Sequence, residues 1–391
     1  MLRSLYYGAC IIFICMQSNV AFSQSTSSQN SDWLTTWLSG PLPGQPVKSE
    51  PMRRTPQTRV VQWPVPPSQR RLTNRREASG HVIRQPSLKG KPGERPRPLS
   101  GQAELPGMHL GIGIVKTSGT TDWNHDASSA STTLGNPSSE LTYEDDGTVI
   151  LEVDGRVQFE RGFFVRGNLG VGATFGEEGN LRDDDFNTGQ VLFSSTDSAI
   201  PDTDIFYVTV DVGKEIINID QNRISVSLFT GFQYWREEHE AFGLFDRLTN
   251  QQTRTSDVGV ISNVVEWKSF RLGALGSYNI SERMGWTFDL AFVPYTDMHN
   301  EDSHLLRTAA SSLGPAPNVI MDGSGFGLEG AVGFIYSLTS NWIAVVDFRY
   351  WQLMSDGDIT LGPEANSTST FPLNDLNTVR YGFNAGLRYV F

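Results

Sequence analysis

Near the end of the chain, Val379, Tyr381, Phe383, Ala385, Leu387, Tyr389 and Phe391 share one parity. Arg380, Gly382, Asn384, Gly386 and Arg388 occupy the other. A β-strand turns successive side chains to opposite faces, so this segment predicts a strand with one apolar face and one small or polar face. The same period recurs upstream. Phe206, Val208, Val210 and Val212 oppose Thr209 and Asp211; Trp286, Phe288, Leu290 and Phe292 oppose Thr287 and Asp289. Trp342, Ala344, Val346, Phe348 and Tyr350 oppose Asp347 and Arg349. Ten strands are expected, at 108–117, 140–160, 163–176, 203–217, 223–238, 262–279, 284–298, 325–339, 342–355 and 377–391.

The connections alternate in length. Those at 160–162, 218–222, 281–283 and 338–341 are short, whereas 118–139, 177–202, 239–261, 299–324 and 356–376 are long and polar. Apolar-out strands joined by short turns at one end and long loops at the other predict an all-β fold: a ten-stranded antiparallel transmembrane β-barrel. An aromatic carboxy-terminal residue on the last strand fits closure of a bacterial outer-membrane barrel, here Phe391. An even strand number puts both termini on the periplasmic side and the long loops at the cell surface. Side chains largely fill a barrel this small, which argues against a diffusion porin.

The amino-terminal residues bear on the compartment. Arg3 precedes an apolar run from Leu5 to Met16, and Val20-Ala21-Phe22-Ser23 fits a signal-peptidase site, so residues 1–23 read as a signal peptide. Both cysteines, Cys10 and Cys15, fall inside it, which leaves the exported chain no disulfide and no cysteine metal site. Composition then divides the remainder. Residues 25–104 hold 13 Lys/Arg against 5 Asp/Glu and are rich in Pro, Ser and Gln; 105–391 hold 17 against 38, a net of −21. Segment 24–104 has too few large apolar residues to offset its ordering entropy and is expected to be a disordered basic tail, read as a spacer. Docking of that tail to acidic periplasmic polymers or to the barrel is the alternative.

Candidate chemistry concentrates in two of the long connections. One contains Asp183-Asp184-Asp185 and the other contains Asp302-Ser303-His304. Residues two apart in an extended chain share a face, so Asp183 pairs with Asp185 and Asp302 with His304. His304, oriented by Asp302, is a candidate general base for a water; Asp183 and Asp185, sharing a proton, would hold that water. Asp297-Met298-His299 repeats the Asp-x-His spacing, and spacing alone does not choose between the two. Acidic outer loops also serve as solvated surface or as Ca²⁺ ligands.

Beyond these patterns, residues 108–391 resemble the omptins, ten-stranded outer-membrane proteases of Gram-negative bacteria. The likeness runs through Ser139-Glu-Leu-Thr-Tyr-Glu144, Val165-Arg-Gly-Asn-Leu-Gly-Val-Gly172, and Gly179-Asn180 followed by Asp183-x-Asp185-Phe186, where Phe186 stands for the family's Trp. From Leu290 to His304 the spacing matches the family without a gap, which selects Asp302 and His304 over Asp297 and His299. The resemblance implies an aspartic-type endopeptidase (a hydrolase) with Asp183, Asp185, Asp302 and His304 as catalytic residues and no metal. It implies cationic peptide or protein substrates, with Asp122 and Asn300 at the substrate-binding positions. Asn300 stands where omptins that favour basic residues carry an acid, Asp122 is matched only with a gap, and the tail has no omptin counterpart. No cofactor is expected, with lipopolysaccharide as the one candidate accessory molecule. Expected partners are outer-membrane lipid and the barrel-assembly machinery, not nucleic acid. The competing expectation is a non-enzymatic surface barrel, an adhesin or ligand-binding protein.

If the last strand closes a barrel, its loss leaves open edges that cannot reside in lipid. Deletion of residues 387–391 is expected to abolish heat-modifiable barrel in outer-membrane fractions, read by gel mobility with and without boiling.

Overall fold

The computed structural model describes residues 107–175, 178–220 and 223–391. The expected signal peptide and basic tail therefore lie outside the described residues. The strands are β1 (Met108–His125), β2 (Leu134–Gln158), β3 (Phe163–Thr174), β4 (Gly179–Asn187), β5 (Val191–Ile219) and β6 (Ile224–Asp246). They continue as β7 (Gln251–Asn279), β8 (Met284–His304), β9 (Val319–Ser337), β10 (Trp342–Leu361) and β11 (Ser369–Val390). All neighbours pair antiparallel, and β1 pairs with both β2 and β11, so the sheet closes on itself.

Eleven strands make a wall of ten positions. β3 pairs with β2 and β5 through Phe163–Thr174, and β4 pairs with the same two strands through Gly179–Asn187. The two are thus one wall position, interrupted between Thr174 and Gly179. This is the expected ten-stranded barrel with its third strand broken.

One end carries Met108, Phe391 and the tight turns. The Phe391 N–H donates to the Met108 carbonyl at 3.0 Å, tying the last residue to the first strand. The turn at Glu160–Gly162 needs left-handed backbone at Arg161 (φ 65°) and Gly162 (φ 78°). Glycine suits the second of these because it has no Cβ to clash.

In the half of the barrel nearer the termini, the outward side chains are apolar and exposed. Leu110, Ile112 and Ile114 on β1, Phe288, Leu290 and Phe292 on β8, and Phe383 and Leu387 on β11 belong to this belt. An apolar band girdling a closed barrel is a surface for hydrocarbon, where every backbone polar group must be satisfied within the wall. No helix among the described residues is long and apolar enough to cross a membrane; the wall itself is the spanning element.

Beyond the belt the pattern inverts. On β7, Ile261, Val265 and Trp267 turn inward and are buried, whereas Ser262, Glu266 and Lys268 turn outward. On β1, Trp123 and His125 are buried while Asp122 and Asn124 are not. The strands therefore run on past the membrane level with apolar residues inside and polar residues outside, like the wall of a soluble barrel. This corrects the expected boundaries. Most of 118–139, 177–202, 239–261 and 356–376 and both ends of 299–324 are strand, and the connections shrink to 126–133, 188–190, 247–250, 305–318 and 362–368. Polar outward residues imitate loop composition when only the apolar-out phase is sought.

Ion pairs fill the lumen within the belt. Arg166 bridges Asp211 (2.8 Å) and Asp289 (2.5 Å), Arg271 bridges Asp211 (3.3 Å) and Glu329 (2.8 Å), and Arg349 bridges Glu152 (2.6 Å) and Asp347 (2.5 Å). Among them lies a cavity of about 260 Å³. One layer further out, Arg380 reaches Glu237 and Asp145, each at 2.5 Å, and all three groups are buried. Removing one partner of a buried pair leaves an uncompensated charge and costs about 3–5 kcal/mol. Arg380→Leu strands two carboxylates, so a loss of about that size is expected in denaturant unfolding of the refolded barrel.

Candidate active site

At the end opposite Met108 and Phe391, two strands bring acidic and imidazole side chains together inside the barrel. Asp302 and His304 close β8, and Asp183 and Asp185 lie on β4. The expectation of loop positions for these four residues is corrected: all are strand residues on the protruding wall, and their two-residue spacing turns them to one face because the backbone is extended.

Asp302 is wholly buried. Its Oδ2 accepts from the Tyr143 hydroxyl and from Asn263 Nδ2 at 3.2 Å. Asn263 is the cross-strand partner of Asp302 on β7, whereas Tyr143 comes from β2, which is not adjacent to β8 in the sheet. The Tyr143 contact therefore spans the barrel interior. The other oxygen, Oδ1, lies 3.6 Å from His304 Nε2. That is longer than a hydrogen bond, and neither atom has a hydrogen-bond partner among the described residues.

His304 is fixed through its backbone. Its N–H donates to Asn318 Oδ1 at 2.8 Å, and Asn318 Nδ2 donates to the His304 carbonyl at 3.2 Å. Asn318, buried just before β9, thus holds the strand end where the chain leaves for connection 305–318. On the facing wall, Asp183 pairs with Leu141 of β2, and Asp185 with Ser139 of β2 and Ser194 of β5.

Burial governs the electrostatics. It raises Asp302 to about 6, although the bonds from Tyr143 and Asn263 favour the carboxylate. Burial, and then the adjacent Asp185 charge, push Asp183 well above the ordinary carboxylate range; Asp302 adds to the rise and Arg307 opposes it. Asp185 is raised by burial against the pull of Arg307 and the Ser139 and Ser194 hydroxyls. Two carboxyls so placed oppose each other's ionisation. Burial lowers His304 to about 3, with Arg307 and His125 acting in the same direction. At neutral pH the site therefore holds an imidazole in its neutral form, the Asp302 carboxylate beside it and a facing acid pair.

Two expected positions behave differently. Asn300 faces the interior, fully buried, and its Oδ1 accepts from Asn263 Nδ2 at 3.1 Å. Asp122 alternates with inward Thr121 and Trp123, so it faces away from the cluster, where Asn377 Nδ2 donates to it at 3.2 Å. His299 is also outside, its Nδ1 2.7 Å from Asp322 Oδ1. Spacing could not separate the two Asp-x-His pairs; the parity of β8 does so, because only one of them faces inward.

Sequence reasoning missed Tyr143, Asn263, His125, Arg307 and Asn318. Tyr143 lies in the stretch Ser139–Glu144 that carries the resemblance but was given no role there, Asn263 lies in no motif, and only a contact across or along the barrel wall reveals what they do. The surroundings are apolar. Leu313 from connection 305–318 and Val319, Met321, Ile359 and Leu361 are all fully buried in one cluster at this end, together with Trp123 and Tyr143.

No protein-family model matches the chain, and no curated protein sequence matches it. Solved structures do. The outer membrane protease OmpT from Escherichia coli superposes with a TM-score of 0.58 at 16% identity, over 73% of this chain and 97% of that one. Two further similar structures are the outer membrane protein OprG from Pseudomonas aeruginosa (TM-score 0.30, 12% identity, 74% and 98% covered) and Ail of Yersinia pestis (0.26, 8%, 73% and 100%). The fold is that of outer-membrane β-barrels. At these identities the likeness establishes the fold alone.

The two histidines of the repeated spacing should separate by NMR titration of their ring protons. His304 is expected to remain neutral down to about pH 3. His299 is lowered by its partial burial, but the hydrogen bond to Asp322 and the nearby Glu301 outweigh that and raise it. Its cation should therefore persist above the ordinary histidine range, and the His299→Ala spectrum identifies the signal.

Proposed function

We propose that this chain is an outer-membrane endopeptidase of omptin type, with the end bearing Asp302 and His304 at the cell surface and both termini in the periplasm. The observation that carries the reading is the convergence of Asp183 and Asp185 on β4 with Asp302 and His304 on β8, from different walls of one barrel. In this mechanism His304 removes a proton from water, which attacks the scissile carbonyl. Asp302 stabilises the imidazolium, and Asp183 with Asp185 holds the water and supplies a proton as negative charge develops. The C–N bond then breaks as His304 gives its proton to the leaving amine, and the new carboxylic acid returns a proton to the Asp183–Asp185 pair. All the required groups are protein side chains.

Preference for cationic polypeptides rests on the net charge of −21 over residues 105–391, which draws basic chains toward the barrel. It does not rest on a counter-ion beside the dyad, because Asn300 is neutral and Asp122 faces away. Lipid and lipopolysaccharide at the belt and the barrel-assembly machinery during insertion complete the expected partners. The second reading is a non-enzymatic surface barrel. It draws on the complete burial of Asp302 under the apolar cluster that includes Leu313.

The deciding experiment incubates refolded protein with fluorogenic Arg- and Lys-containing peptides in the presence of lipopolysaccharide, with and without a chelator. Cleavage that survives chelation is expected. His304→Ala and Asp185→Asn should each lower the rate by about 10²–10⁴, the usual contribution of a positioned base, while heat-modifiability persists. His299→Ala should stay near wild type. Wild-type protein that cleaves no peptide would leave the surface-barrel reading in its place.

A further inference from the structure

The Asp302 carboxylate is held unsymmetrically. Both donors, the Tyr143 hydroxyl and the Asn263 amide, engage Oδ2, which leaves Oδ1 as the oxygen facing His304 Nε2 at 3.6 Å. A carboxylate on one rotatable bond settles on whichever oxygen is better bonded, so these donors determine which lone pairs the imidazole meets.

Tyr143 is itself anchored from below. Its ring lies against His239, with centroids 5.4 Å apart, and His239 Nε2 is 3.9 Å from Glu237 Oε2. Glu237 is tied to Arg380, accepts from Trp235 Nε1 at 2.7 Å and accepts from Thr121 at 3.2 Å. Arg380 also binds Asp145, two residues from Tyr143 on the same face of β2. Every one of these side chains is buried. A continuous set of contacts therefore runs from the charged floor of the lumen, through the Tyr143 ring, to the candidate catalytic carboxylate.

Resting on the endopeptidase reading, we propose that Tyr143 is a positioning residue, which through its hydroxyl bond from β2 aims the Asp302 carboxylate at His304. Asn263 is the lesser partner, since it divides its amide between Asp302 and Asn300. The charged and titratable groups around Asp302 and His304 come from several elements. They are Tyr143 on β2, Asp183 on β4, His304 on β8, His125 on β1 and Arg307 beyond β8; the Trp123 indole N–H lies nearby without hydrogen-bond geometry. The Tyr143 hydroxyl and the Asn263 amide both donate hydrogen bonds to the Asp302 carboxylate.

The test is Tyr143→Phe in the full mature chain, refolded with lipopolysaccharide and checked by heat-modifiability. Phe keeps the ring against His239 and removes only the hydroxyl. Asn263→Ala serves as the second variant. A donor to the ionised form favours it, so its loss raises the Asp302 pKa. The acid limb of kcat/KM against pH, expected near 6 in the wild type from Asp302, should move up by about one unit in Tyr143→Phe. At neutral pH kcat should fall about 10-fold or more, with KM little changed, and Asn263→Ala should show the same shift at smaller size. A merely structural role would leave the acid limb in place. Wild-type kcat and an unmoved limb in folded Tyr143→Phe would overturn the proposal. Wild-type protein inactive on every peptide would instead overturn the endopeptidase reading, and this role with it.

Discussion

Closure of the sheet is the constraint on which everything else depends. In hydrocarbon no water is available to a free strand edge, so β1 must pair with β11 on one side and β2 on the other along its whole length. Closure fixes the register of each strand, and the register decides which parity faces the lumen. A slip of one residue would send Asp302 and His304 outward and His299 inward. The candidate chemistry is thus a consequence of the ring.

The ring also creates an interior that must be filled. Within the belt the wall presents apolar groups to lipid, so polar groups turn inward and are satisfied as ion pairs among Arg166, Arg271, Arg349 and their carboxylates. Beyond the belt the outside is polar and the inside becomes apolar, through Trp123, Leu141, Val265 and Met321. Arg380, Glu237 and Asp145 lie where the two regimes meet. The candidate site stands just above that junction, in apolar surroundings that displace the titration of Asp183, Asp302 and His304 from ordinary values.

The resemblance to omptins and the superposition on OmpT support one architecture from independent directions, one from motifs and one from backbone geometry. They differ in reach. Superposition at 16% identity speaks for the barrel, whereas the site rests on the inward convergence of Asp183, Asp185, Asp302 and His304. The departures are local: Asn300 is neutral, Asp122 faces away, and Tyr143 bonds to Asp302 from another wall.

By itself the sequence determined the strands within the belt, because alternation of apolar and polar residues is a local consequence of the pleat and lipid imposes it strongly. It also marked Asp183 with Asp185 and the two Asp-x-His pairs, because spacing of two along an extended backbone is local too. The strand extensions past the membrane, such as 118–125 of β1 and 179–187 of β4, were illegible as strand while only the apolar-out phase was sought. Their alternation persists with inside and outside exchanged. Which Asp-x-His faces inward, how Tyr143 reaches Asp302, and how Arg380 gathers Glu237 with Asp145 were decided by the tertiary structure alone. These contacts join residues more than a hundred positions apart across a closed lumen, and no local pattern encodes a distance that exists only once the ring has closed.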